Sequence, residues 1–195
     1  MDYCVGVKVR GQGPRFHSEV AMKRESHGMK GKESLADRLG PDTIAKLVRA
    51  AEQRFATAEF LRTQPARWLA ALYFYGYSAE MWISAAFYRS AGFRPHDPID
   101  RDTRHRRMIQ ARQLRLMNGD PHPLVGWARF LEWHRSASEL SVADAQRLKE
   151  VIDKAIQIYN HWRPELRYKI VQVTESQLSE VRRAVAWLRD NQDRF

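Results

Sequence analysis

Apolar residues recur three and four positions apart from residue 44 onward, with Ile44, Leu47, Val48, Ala51, Phe55 and Ala58 sharing one helical face. Asp42 stands where an N-cap is expected, and Thr63-Gln64-Pro65 closes this helix and opens the next, because proline is tolerated in a first turn. The following run, Trp68 to Tyr88, is uncharged except for Glu80. A helix that is apolar round most of its circumference must be surrounded by other helices. Gly92 is placed to end it.

Further helices are predicted near Asp100 to Met117, stopping at Asn118-Gly119, and over Val125 to His134. A helix from a Ser141 cap to about Asn160 buries Leu148, Val151, Ile152, Ala155 and Ile158. Thr174 with Gln177 reads as a capping box for a last helix, lined by Leu178, Val181, Val185 and Leu188. Only Lys169–Val173 has the alternation of a strand, and it is short and isolated. The expectation is an all-α bundle of four or five helices over residues 34–195. Residues 1–33 carry Gly, Lys, Ser and His without apolar periodicity, and are expected to form a flexible basic arm.

The lone carboxylate decides how the central run is read. Trp68 to Tyr88 is long enough to span a bilayer, yet a Glu near its middle would be costly there, and no second span accompanies it. A core helix is expected, with no membrane involvement. Glu80 should then be paired, and Arg167 in the turn Trp162-Arg-Pro-Glu-Leu-Arg-Tyr168 is the expected partner, since a guanidinium suits a bidentate, desolvated contact. Arg163 in the same turn is the alternative. Tyr77 and Ser84 lie within helical reach of Glu80 and would complete a polar seam.

Charge adds a class of partner. Lys and Arg number 33 against 23 Asp and Glu, a formal balance of +10, which favours anionic partners such as RNA or a nucleotide. The predicted helix after Asp100 concentrates arginines, among them Arg104, Arg107 and Arg115, as candidate phosphate contacts. A single cysteine, Cys4, gives no disulfide framework, and the first residues lack a secretory apolar stretch, so a cytoplasmic setting is expected. No P-loop, GxGxxG, GxSxG or HExxH occurs, and the histidines are scattered; neither a cofactor nor a metal is expected. Arg129 and His134 have the spacing of an arginine that holds a phosphate and a histidine that moves a proton, as metal-free RNA cleavage requires. Residues five apart on a straight helix nevertheless point about 140° away from each other.

The all-α layout, Gly76-Tyr77 followed by Glu80, and the later Trp162, Arg167 and Tyr168 turn resemble the HEPN family, named for nucleotide binding in higher eukaryotes and prokaryotes. The resemblance covers about Asp42 to Arg189; at Ile83-Ser84-Ala85 similar sequences carry a lysine-bearing triplet. It implies a homodimeric helical bundle. It also implies a metal-independent ribonuclease or a non-catalytic relative, often in a toxin–antitoxin or defence pair with a nucleotidyltransferase-like protein. Active members carry their arginine–histidine motif near the last helix, and no histidine follows Arg167 here. Binding of RNA or a nucleotide-containing ligand is therefore expected ahead of cleavage.

Overall fold

The computed structural model describes residues 40–118 and 122–195. The expected basic arm, 1–33, lies outside the described residues. Six helices follow in order: α1 Ile44–Arg62, α2 Trp68–Ser90, α3 Arg101–Gln113, α4 Leu124–Ser136, α5 Val142–His161 and α6 Glu175–Asn191. Short 3-10 turns at Pro65–Arg67 and Pro164–Tyr168 precede α2 and follow α5.

The all-α bundle is the observed architecture, and α2 is its axis. It packs on α1, α4 and α6, while α5 bridges α4 and α6. The second half of α2 is buried almost all round, from Trp82 to Tyr88, as its apolar circumference requires. No helix among the described residues is long and apolar enough to cross a membrane. Five helices thus form the bundle. The sixth, α3, packs sparingly and buries only Ala111.

Local chemistry sets the helix ends. Thr43 rather than Asp42 caps α1, accepting from the Lys46 N–H at 3.1 Å. Asp42 is instead drawn into an antiparallel bridge with Ile99, and its carboxylate lies 3.9 Å from Arg104. Ser141 caps α5, and Thr174 with Gln177 forms the expected capping box on α6. Helix α3 stops at Gln113, short of the Met117 end predicted for it, because the chain turns back at Arg115 and tucks Met117 against Gly126 of α4. Lys169–Val173 forms no strand; Ile170 is fully exposed and the segment has no ladder partner among the described residues.

Ion pairs tie the outer helices to one another, and a tyrosine hydroxyl joins one of them to the axis. Glu59 of α1 accepts from Arg182 of α6 at 2.7 and 3.2 Å and from the Tyr75 hydroxyl of α2 at 2.5 Å. Burial raises the Glu59 carboxyl, but Arg182, Tyr75 and Arg62 together outweigh it and hold the group below its usual range. His161 of α5 meets Glu180 of α6 at 3.2 Å.

Candidate functional site

Two features adjoin each other around the Trp162 end of α5. The first is an open cleft of about 570 Å³. Its walls are the C-terminal turn of α3, residues 115–118, the start of α4 and the last turns of α5. Leu116, Met117, Pro123, Val125 and Ile156 give it an apolar floor, and Arg112, Arg115 and Arg129 supply its charge. These three arginines are exposed, and none is paired with a carboxylate among the described residues. Tyr159 also lines the cleft, and the Arg163 guanidinium lies 3.4 Å over its ring centre.

The second feature is a chain of hydrogen bonds on α2. Tyr73 donates to the Tyr77 hydroxyl at 3.3 Å, and Tyr77 lies 3.4 Å from Nε2 of His122. Nδ1 of His122 is 3.0 Å from the Glu80 carboxylate. That last contact places the proton of the neutral ring on Nδ1 and leaves Nε2 as an acceptor for Tyr77. Trp162 closes the back of the chain, its ring edge-on to Tyr77 at 5.4 Å and its Nε1 donating to the Tyr73 carbonyl at 3.1 Å. Burial first, then Tyr73 and Glu80, push the Tyr77 phenol well above its ordinary value. The Tyr77 phenol thus stays protonated at neutral pH, and His122 is a fixed, oriented imidazole.

Glu80 is accordingly paired, but with His122 and not with Arg167. The reason is reach along the helix. Arg167 sits beside the Tyr73 hydroxyl, which favours its protonated form, and its guanidinium stacks 4.5 Å over Tyr168. Tyr73 lies seven residues, about 10 Å of helix rise, before Glu80. The Ser84 hydroxyl is buried and has no hydrogen-bond partner among the described residues, so it does not extend the seam.

The remaining candidates divide. Arg115 and Arg129 meet at the cleft, where Arg112 joins them. Arg104 and Arg107 turn toward the body instead. Arg104 faces Asp42 and the Tyr88 hydroxyl without a well-aligned bond to the latter, and Arg107 donates to Gln110 at 3.2 Å. His134 does not share the cleft with Arg129. Its Nδ1 lies 3.3 Å from the Ser90 hydroxyl and its ring packs edge-on to Phe87. Burial, with Arg107 and Arg135 close by, lowers its basicity.

His122 went unremarked in the sequence, and Arg112 stood out only as one of the arginines of the helix after Asp100, not as a site residue. His122 sits between two prolines in a run of turn residues and has no periodic signal. The one available clue was Glu80, whose need for a partner an imidazole meets as well as a guanidinium. Among the described residues no group of three His, Cys, Asp or Glu is placed to hold a metal ion. Comparison of the chain with family models, with curated proteins and with solved structures finds no match in any of the three.

Proposed function

We propose that this chain is a HEPN-like helical protein that binds RNA, or a nucleotide-containing ligand, by its phosphates at the Arg112, Arg115 and Arg129 cleft. The observation that carries this reading is three guanidinium groups round one cleft with no carboxylate partner among the described residues. Like charges gathered without counter-charge repel, and a phosphate relieves that repulsion while matching the planar fork of arginine. Helices α3 and α5 point their C-termini at the cleft, and each contributes about half a negative charge at most. Three full positive charges outweigh them. The apolar floor suits the face of a sugar or base, and an open cleft of this size admits a single strand.

Fluorescence anisotropy with a short, labelled single-stranded RNA tests the reading. Binding should weaken with salt, with a slope of about 0.7 per phosphate contact, hence about 2 for three contacts. The triple variant Arg112→Ala, Arg115→Ala, Arg129→Ala should abolish it. Binding that ignores both salt and the triple substitution rules the reading out.

One observation favours a second reading, metal-independent RNA cleavage: His122 is oriented by Glu80 next to the cleft wall at Pro123. Released from Tyr77, Nε2 of His122 would take the 2′-hydroxyl proton as that oxygen attacks the adjacent phosphorus to form a cyclic phosphate, while the arginines hold the phosphate and the 5′-oxygen leaves by taking a proton from water. His134, the histidine of the R-x4-H spacing, lies instead against Ser90 and Phe87, and does not line the cleft. Cleavage in the presence of a chelator, lost in His122→Gln and kept in His134→Gln, is the expected pattern. Equal cleavage by wild type and His122→Gln would exclude it.

A further inference from the structure

Helix α3 ends in a turn that ordinarily calls for glycine. The Leu116 N–H donates to the Ala111 carbonyl and the Arg115 N–H to the Arg112 carbonyl, both at 2.9 Å. This pair of bonds is a Schellman cap, whose middle residue takes the left-handed conformation. Arg115 occupies that position with φ 58°, the only non-glycine residue with positive φ among the described residues. Helix α2 closes with the same two bonds, Phe93 N–H to Tyr88 and Gly92 N–H to Arg89, and there the left-handed residue is Gly92 at φ 86°. The fold therefore builds one cap twice, once with the unstrained residue and once with arginine.

A β-carbon in the left-handed region crowds the following carbonyl, so Arg115 holds α3 closed less favourably than glycine would. The surrounding structure over-determines it: Leu116 packs on the core, and Met117 is buried against Gly126. What distinguishes the two caps is their surroundings. Gly92 has open space around it, whereas Arg115 lines the cleft beside Arg112 and Arg129. Strain of this kind persists where a side chain is needed in place.

We infer that Arg115 is a ligand-anchoring residue, held in a strained cap so that its guanidinium grips a phosphate group of the ligand at the cleft. This inference rests on the cleft being the binding site, and it adds a cost in stability that a passive surface arginine would not carry. Two substitutions separate charge from strain. Arg115→Ala removes the charge and keeps the β-carbon; Arg115→Gly removes both.

The experiment measures thermal midpoints and binding of the same labelled single-stranded RNA for wild type, both variants and Arg112→Ala/Arg129→Ala. Both Arg115 variants should bind about 10-fold or more weakly, the loss of one charge-assisted contact. Arg115→Gly alone should also melt higher by about 1–4 °C, the relief of strain less the entropy of glycine. If wild type binds and the Arg112/Arg129 variant is weakened while Arg115→Gly and Arg115→Ala bind like wild type, this inference falls and the cleft stands. An Arg115→Gly protein no more stable than Arg115→Ala also overturns it, since the strain is then absent. Wild type that binds no RNA overturns both the inference and the reading beneath it.

Discussion

Gly76 lies on the face of α2 that the Trp162 indole covers, and an alanine there should unfold the protein at lower temperature. A β-carbon at Gly76 would overlap Cγ, Cδ1 and Cδ2 of the ring, well inside van der Waals contact. The ring cannot retreat. Trp162 is fully buried, its Nε1 is bonded to the Tyr73 carbonyl, and Tyr77 abuts its edge. Two effects compete. Alanine favours a helix interior over glycine by about 1 kcal/mol, and overpacking of a tight core costs about 1–3 kcal/mol or more. With three ring atoms overlapped at once the overpacking cost sits at or above the top of its range, so a net loss of about 2 kcal/mol results. For a chain of this length each kcal/mol moves the midpoint by about 2–4 °C, so Gly76→Ala should melt about 4–8 °C below wild type. Circular dichroism with temperature reads this directly. A midpoint raised by the substitution, as for an exposed helix glycine, would show that Trp162 does not press on α2, and with it would go the account of how Tyr77 and His122 are held.

The Glu59 network should show itself in acid. Because its folded-state pKa is lowered, Glu59 contributes stability that is present above the unfolded carboxylate value near 4.5 and is lost as pH falls through the folded value. Glu59→Gln should cost about 2 kcal/mol at neutral pH, with the gap to wild type closing below pH 4; a gap that persists unchanged in acid would refute the charge assignment. His134 should act in the opposite sense to a salt-bridged histidine. Its folded-state pKa is depressed by burial and by Arg107 and Arg135, so stability is full above about 6.5 and declines as pH falls below that value. Denaturant midpoints compared at pH 7.5 and 5.5 should fall less in His134→Gln than in wild type, and an equal fall would remove His134 from the account.

Elements were legible in this chain wherever the determinant is local. Thr174 and Gln177 announce α6 because both halves of a capping box lie within four residues, and the apolar girdle of α2 announces a central helix because burial is written on every face. Asp42 was misleading for the converse reason. Capping chemistry alone cannot tell Asp42 from Thr43, and the choice is made by Ile99 and Arg104, more than fifty residues on. Glu80 was legible as needing a partner, but not which one, since His122 reaches it from a loop with no pattern of its own. The cleft was the least legible feature, for Arg112 and Arg115 come from one helix end and Arg129 from the next helix.

Helix α3 shows why an exposed, sparsely packed element escapes the pattern that finds a core. It was legible as a helix, since Asp100 caps it through the Thr103 N–H at 2.7 Å. Thirteen residues with one buried side chain are marginal as a helix on their own. Its position is fixed by what flanks it: the Asp42–Ile99 bridge ahead of it, and Met117 seated on Gly126 behind it. Neither anchor lies within the helix, and neither belongs to an apolar repeat. While Arg104 and Arg107 turn to the body, Arg112 and Arg115 are left exposed at the cleft, and a phosphate bridging them to Arg129 would supply a further tie, from α3 to α4. Ligand binding at the cleft should therefore slow amide exchange along α3 more than along α2, whose backbone the core already protects.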